Sequence, residues 1–158
     1  MKYYCCRVAI DPTTYTENTV YQAFVNTDSK SIRLKVVNIQ LDSADANGTA
    51  NSVYGIKRIK GLPTGGTTLG VTKYNTQDED SMMRVVRNQG GLTMTGVTQY
   101  EYFWEGSIVA KASGSPTSIH FDNNQGFILS PNEGIAFFAD NTVANGSSVR
   151  GFIEWVEE

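Results

Sequence analysis

The sequence is short of the residues that carry catalysis. Its 158 residues include one histidine, His120, and two cysteines, Cys5 and Cys6. A histidine-based zinc site needs a second histidine, and a Ser-His-Asp triad has only His120 to draw on. His120 lies in a short run, Ser118-Ile119-His120-Phe121, with no nucleophile-elbow pattern beside it. It reads as a structural or exposed side chain. The two cysteines are adjacent, and neighbours on a strand point to opposite faces, so they cannot pair with each other without strain. Two free thiols in a reducing compartment are expected, one buried and one facing outward or into a subunit contact.

Charge is also scarce. Charged residues make up 18% of the chain, below the ~25% usual for globular domains. Thr, Ser, Asn and Gly fill the gap, and they favour strands and turns over helices. A surface of neutral polar groups solvates itself weakly and is easily buried against a like surface. The net charge of −3 comes from 13 basic and 16 acidic residues. The longest basic run, Lys57-Arg58-Ile59-Lys60, alternates like a half-exposed strand, which speaks against phosphate-tracking nucleic-acid binding. No apolar stretch approaches the ~20 residues that span a bilayer. The start, Met1-Lys2-Tyr3-Tyr4-Cys5-Cys6-Arg7, has no continuous apolar core and no cleavage site of a signal peptide. A soluble chain without a membrane partner is expected.

Helical periodicity is missing as well, and apolar residues recur with period two or in short β-branched runs. Strands are expected over 4–10, 20–25, 32–41, 53–59, 69–74, 100–108, 118–121, 127–129, 135–139 and 149–156. In the second, Val20, Gln22 and Phe24 oppose Tyr21, Ala23 and Val25. In the third, Ile32, Leu34 and Val36 give way to Val37, Ile39 and Leu41 in the other phase. That slip implies a bulge, or a strand buried on both sides. Residues 82–86 fit a strand or one helical turn equally. Gly61 to Thr67 and Gly90-Gly91 read as loops or breaks. In the last strand, Val149, Gly151, Ile153 and Trp155 oppose Arg150, Phe152, Glu154 and Val156. About eight strands with turns every 8–12 residues predict one all-β domain over 1–158, an antiparallel, jelly-roll-like β-sandwich.

Several segments resemble functional motifs and fall short of them. Ser43-Ala44-Asp45-Ala46-Asn47-Gly48 resembles the front of a calcium loop, but the twelfth position is Tyr54 where a bidentate acid is required, so Asp42, Asp45 and Asn47 would hold an ion only weakly. Gln77-Asp78-Glu79-Asp80 offers carboxylates, yet consecutive residues do not face each other across a glycoside, so a solvated loop is expected. Gly65-Gly66-Thr67-Thr68 lacks the lysine and the helix of a phosphate cradle and reads as a tight turn. Tyr100, Tyr102 and Trp104 form an alternating row. Such a row stacks sugars when exposed, and in a sandwich it more often faces the core. Asn47-Gly48-Thr49 and Asn145-Gly146-Ser147 match glycosylation sequons and mark exposed turns. No catalytic, cofactor-binding or metal-binding residue is assigned.

Three stretches together resemble small β-sandwich structural proteins of tailed bacteriophages. The first is Val20-Tyr21-Gln22-Ala23-Phe24-Val25-Asn26 followed by Arg33-Leu34-Lys35-Val36-Val37-Asn38-Ile39-Gln40. The second is Ile56-Lys57-Arg58-Ile59 leading to Gly65-Gly66-Thr67-Thr68-Leu69 and Lys73. The third joins Leu129-Ser130-Pro131-Asn132-Glu133-Gly134-Ile135-Ala136-Phe137-Phe138 to the ending Val149 to Glu158. The resemblance implies a non-enzymatic virion subunit, a capsid decoration, head-fibre or tail-associated jelly roll, commonly trimeric. It would be assembled in the host cytoplasm, with the major capsid protein or another virion protein as partner. A carbohydrate- or receptor-binding module of a fibre or tail is the second expectation.

Overall fold

Strands of alternating pattern must bury one face, and here two sheets do so against each other. The computed structural model describes residues 1–10, 18–27, 34–43, 51–109, 117–120, 127–139 and 149–158. Among them are twelve strands: β1 (Lys2–Ile10), β2 (Val20–Asn26), β3 (Leu34–Ser43), β4 (Asn51–Lys60), β5 (Thr64–Leu69), β6 (Thr72–Lys73), β7 (Met83–Thr93), β8 (Thr98–Val109), β9 (Thr117–His120), β10 (Phe127–Leu129), β11 (Glu133–Ala139) and β12 (Val149–Glu157). Sheet one runs β10-β3-β12-β1-β6, with β9 also on β3, and sheet two runs β5-β7-β2-β11-β4-β8. All pairings are antiparallel.

Setting β5 to β7 aside and counting β9 and β10 as one broken strand leaves an eight-stranded frame. Its chain alternates between sheets at every step except the β4–β8 pair, which stay together. That is the double Greek key of a jelly roll. The count of about eight strands therefore applies to the frame. The excess comes from the β5–β7 insertion and the split strand. The 61–67 loop is corrected too: Gly65 and Gly66 lie inside β5, with φ of 81° and 70°, where the register against β7 shifts. Of residues 82–86, Met83 to Val86 open strand β7, and Gly90-Gly91 sits in a wide bulge of β7 instead of ending it.

The core between the sheets takes Tyr4, Cys6 and Val8 from β1, Phe24 from β2, Val36, Ile39 and Leu41 from β3, Phe137 from β11, and Ile153 and Trp155 from β12. The slip at Val36-Val37 is a bulge. Trp155 pairs with Val36 and Glu154 with Asn38, so Val37 is the extra residue. Val36 thus joins Ile39 and Leu41 in the core, and Val37 is turned outward, the reverse of the expected phase. A second bulge skips Tyr21 between β2 and β11. It moves Tyr21 to the core side with Phe24, and Val20 to the far side with Ala23 and Val25. That far side is a second apolar layer, with Ile59, Val86, Ala136 and Phe138, covered by Leu62, Leu92, Met94 and Val97. The centre of sheet two is therefore buried on both faces, and every residue of β2 is buried.

Two polar devices stitch this apolar interior. Gln22, fully buried on β2, reaches across to β1: its Oε1 accepts from the Ala9 amide at 3.1 Å and its Nε2 donates to the Arg7 carbonyl at 2.8 Å. The side-chain amide thus stands in for a neighbouring strand where β6 no longer reaches. The other device surrounds Trp155, which is fully buried and stacks on Tyr4 with ring centroids 6.0 Å apart. The Trp155 indole N–H donates to Ser81 Oγ at 3.2 Å, and the Ser81 hydroxyl and the Met82 amide donate to the Glu157 carboxylate. The backbone of β12 also approaches β3 so closely that a Cβ at Gly151 would lie 1.8 Å from the Gln40 carbonyl oxygen, which fixes glycine there. Both cysteines are free, Cys6 buried and Cys5 half-exposed. Burial, then the neighbouring Cys5, pushes the Cys6 thiol up to about 11.

Replacing Gln22 by leucine keeps its volume and strands two buried backbone groups. At ~1–3 kcal/mol for each unsatisfied group, Gln22→Leu is expected to cost about 2–6 kcal/mol in urea unfolding and to speed amide exchange at Ala9. Unchanged stability would remove the strand-mimic role.

Candidate functional site

Alternation decides which side chains of sheet one face outward. On β1, Tyr4 and Cys6 are buried, leaving Tyr3 and Cys5 outside. On β12, Ile153 and Trp155 point inward, so Glu154 projects out. The β3 bulge presents both Val37 and Asn38 on this face. The registers align one row across the sheet: His120 opposite Asn38, Asn38 opposite Glu154, Glu154 opposite Cys5, and Cys5 opposite Thr72. Just beyond β6, Tyr74 is held by its amide, which donates to the Tyr3 carbonyl at 3.1 Å.

Glu154 is the centre of the row. One carboxylate oxygen accepts from Asn38 Nδ2 at 3.0 Å and the other from the Tyr74 hydroxyl. Above it lies a groove of about 390 Å³ lined by Tyr3, Val37, Tyr74 and Glu154. A neighbouring hollow of about 420 Å³ shares Tyr3 and Val37 and adds Met1, Lys35, Val156 and Glu158. Met1, Tyr3 and Tyr74 are three of the five large hydrophobics left exposed among the described residues, and all three line these hollows. The hydrogen bond to Glu154, then burial, raises the Tyr74 hydroxyl well above its ordinary value. The arrangement gathers a carboxylate, two phenol rings and, opposite Glu154 in the β1–β12 register, the free thiol of Cys5. Among the described residues, no three metal-binding side chains cluster.

His120 has a place in the row by register, although its side chain is outside the described residues. Gln77 to Asp80 is a solvated segment as expected, with the Glu79 and Asp80 side chains 80% and 93% exposed. It is also pinned: Lys2 pairs with Glu79, Lys73 with Asp80, and the Tyr4 hydroxyl donates to the Glu79 carbonyl. Its carboxylates do not converge. Gly65 and Gly66 are in an exposed edge strand. Tyr100 is 46% exposed on β8 and does not join the core. The register sets Trp104 against Ile56 and Tyr102 against Lys57, with a shift between, so the backbone of β8 does not keep the strict alternation of a flat aromatic row. The side chains of Asp42, Tyr54, Tyr102 and Trp104 lie outside the described residues, as do Asp45, Asn47 and the sequon Asn145-Gly146-Ser147.

The phase slip at Val36-Val37 was the one sequence signal leading to this groove. Tyr3, Asn38, Tyr74 and Glu154 carried none, because their meeting depends on register between strands far apart in the chain. The fold and site thus define a jelly-roll protein with an aromatic, carboxylate-bearing groove on one outer face. Compared with known protein families, characterised proteins and solved structures, the chain finds no match.

Because its hydroxyl is raised, Tyr74 is expected to stay protonated past the ~10 of free tyrosine. The stabilisation it gives is present below that value and lost as pH rises above it. Ring-labelled NMR should show Tyr74 titrating above that value, and Glu154→Gln should return it towards the ordinary value. Ordinary titration in the parent chain would exclude the Tyr74–Glu154 bond.

Proposed function

We propose that the chain is a non-enzymatic structural subunit of a tailed-bacteriophage virion. In this reading it is a capsid-decoration or head-auxiliary protein that self-associates as a trimer and docks on the major capsid protein or another virion protein. The observation that carries the reading is the pair of unlike edges of sheet two. One is β8, twelve residues long, and the other is the short, exposed β5. Edge N–H and C=O groups are a template for pairing with another chain. Contact between two different edges is head-to-tail, and a head-to-tail contact closes a ring when its rotation allows.

Three further features support the reading. Jelly rolls recur in viral capsid domains. The surface is poor in charge and rich in neutral polar residues, which eases burial against a second copy. Two free thiols suit assembly in host cytoplasm before residence in the virion.

Native mass measurement on the purified chain tests the proposal. The expected species contains three chains of 17.3 kDa. A lysine on an edge strand opposes strand addition, so Tyr100→Lys is expected to shift the population towards monomer without changing the circular dichroism. A chain that stays monomeric at high concentration and does not co-sediment with phage capsids would overturn the proposal.

A further inference from the structure

We propose that the outer-face groove of sheet one binds an organic cation: an ammonium head carried on an apolar body. Tyr3, Val37, Tyr74 and Glu154 line it, so its surface is largely apolar and aromatic with one carboxylate at hand. Aromatic rings attract cations through the negative potential of their faces, and aromatic cages are a recurrent solution for ammonium groups. The carboxylate supplies the countercharge. Among the described residues its recorded partners are both neutral, the Tyr74 hydroxyl and the Asn38 amide, and it makes no ion pair. The lysine nearest by register, Lys35, lines the adjoining hollow together with Glu158 and is not part of the groove wall.

Other ligand classes fit less well. An anion meets Glu154. A sugar ring presents hydroxyls around its rim and asks for several donors and acceptors, whereas the lining here is two phenol rings, a valine and one carboxylate. A neutral apolar ligand leaves the Glu154 charge without a counter-ion. An ammonium ion with a hydrocarbon body satisfies the rings, the valine and the carboxylate together. The β3 bulge produces the hollow, because it puts Val37 beside Asn38 on the same face. The inference is independent of the trimer: it concerns sheet one, and the proposed assembly uses the edges of sheet two.

The test titrates the full chain with tetramethylammonium chloride, n-butylammonium chloride and acetyl-lysine-amide, each against matched sodium chloride, and with methyl glucoside. The readouts are the ring signals of Tyr74 and the rate at which Cys5, in register with Glu154, reacts with a thiol reagent. Saturable shifts and slower Cys5 modification are expected with the cations only. Glu154→Gln should weaken binding about tenfold, the size expected for ~1.4 kcal/mol. Tyr3→Ala should weaken it as well, and it serves alone if Glu154→Gln does not fold. Lys35→Ala should leave it unchanged. Tightest binding of the quaternary ion assigns a free quaternary ammonium compound; tightest binding of the lysine derivative assigns a protein side chain. The absence of saturation by any cation, binding of the glucoside at the same rings, or unchanged affinity in both Glu154→Gln and Tyr3→Ala overturns the proposal.

Discussion

An indole can be buried only if its N–H finds a partner, and in this protein that requirement reaches from the core to the surface. Trp155 is fully enclosed, and its N–H is answered by Ser81, which is itself tied to Glu157. Ser81 lies in the insertion between β6 and β7, so satisfying one tryptophan draws a long excursion of chain against the first and last strands. Tyr4 stacks on the same indole and donates to the Glu79 carbonyl, closing the excursion from its other end. A buried polar node of this kind strengthens the fold only when all its members are satisfied. The place of Tyr74 follows from it: the segment that delivers Ser81 inward also carries Tyr74 over Glu154.

The jelly-roll frame was legible because its strands obey simple rules. β1, β10, β11 and β12 alternate or run apolar over the lengths that the sequence marks. The structure departs from the sequence where alternation ceases to describe burial. β2 is enclosed on both faces, so pattern could not say which set faces the core, and a bulge at Tyr21 decided it. Gly65, Gly66, Gly90 and Gly91 signal breaks, yet here positive φ and wide bulges keep the chain in strand pairing. Glycine permits a turn without requiring one. The groove was less legible than the frame. The slip at Val37 announced a bulge, but nothing local in Glu154 or Tyr74 announces that residues 80 apart share a hydrogen bond.

The two sheets divide the work. Sheet two has apolar layers on both sides of its centre and leaves its edge strands β5 and β8 unpaired on one side. Sheet one packs one face inward and leaves the other open, with Met1, Tyr3 and Tyr74 exposed on or beside it. Gln22 completes the contrast by closing part of the β1 margin with a side-chain amide, so that strand addition is blocked at Arg7 and Ala9. The proposed edge contacts and the proposed ligand groove thus lie on different parts of the molecule.

The adjacent thiols acquire a further meaning from the β1–β12 ladder. That ladder runs for nine residue pairs with Cys5 opposite Glu154 and Cys6 opposite Ile153. A slip of β1 by one residue turns every side chain to the other face, and it would exchange the two cysteines: Cys6 would emerge and Cys5 would be buried. Two chemically identical groups, one position apart, therefore record the phase of the first strand. The chain carries its own gauge of correct threading, and a kinetically trapped, misregistered population would betray itself by which sulfur is open to solvent.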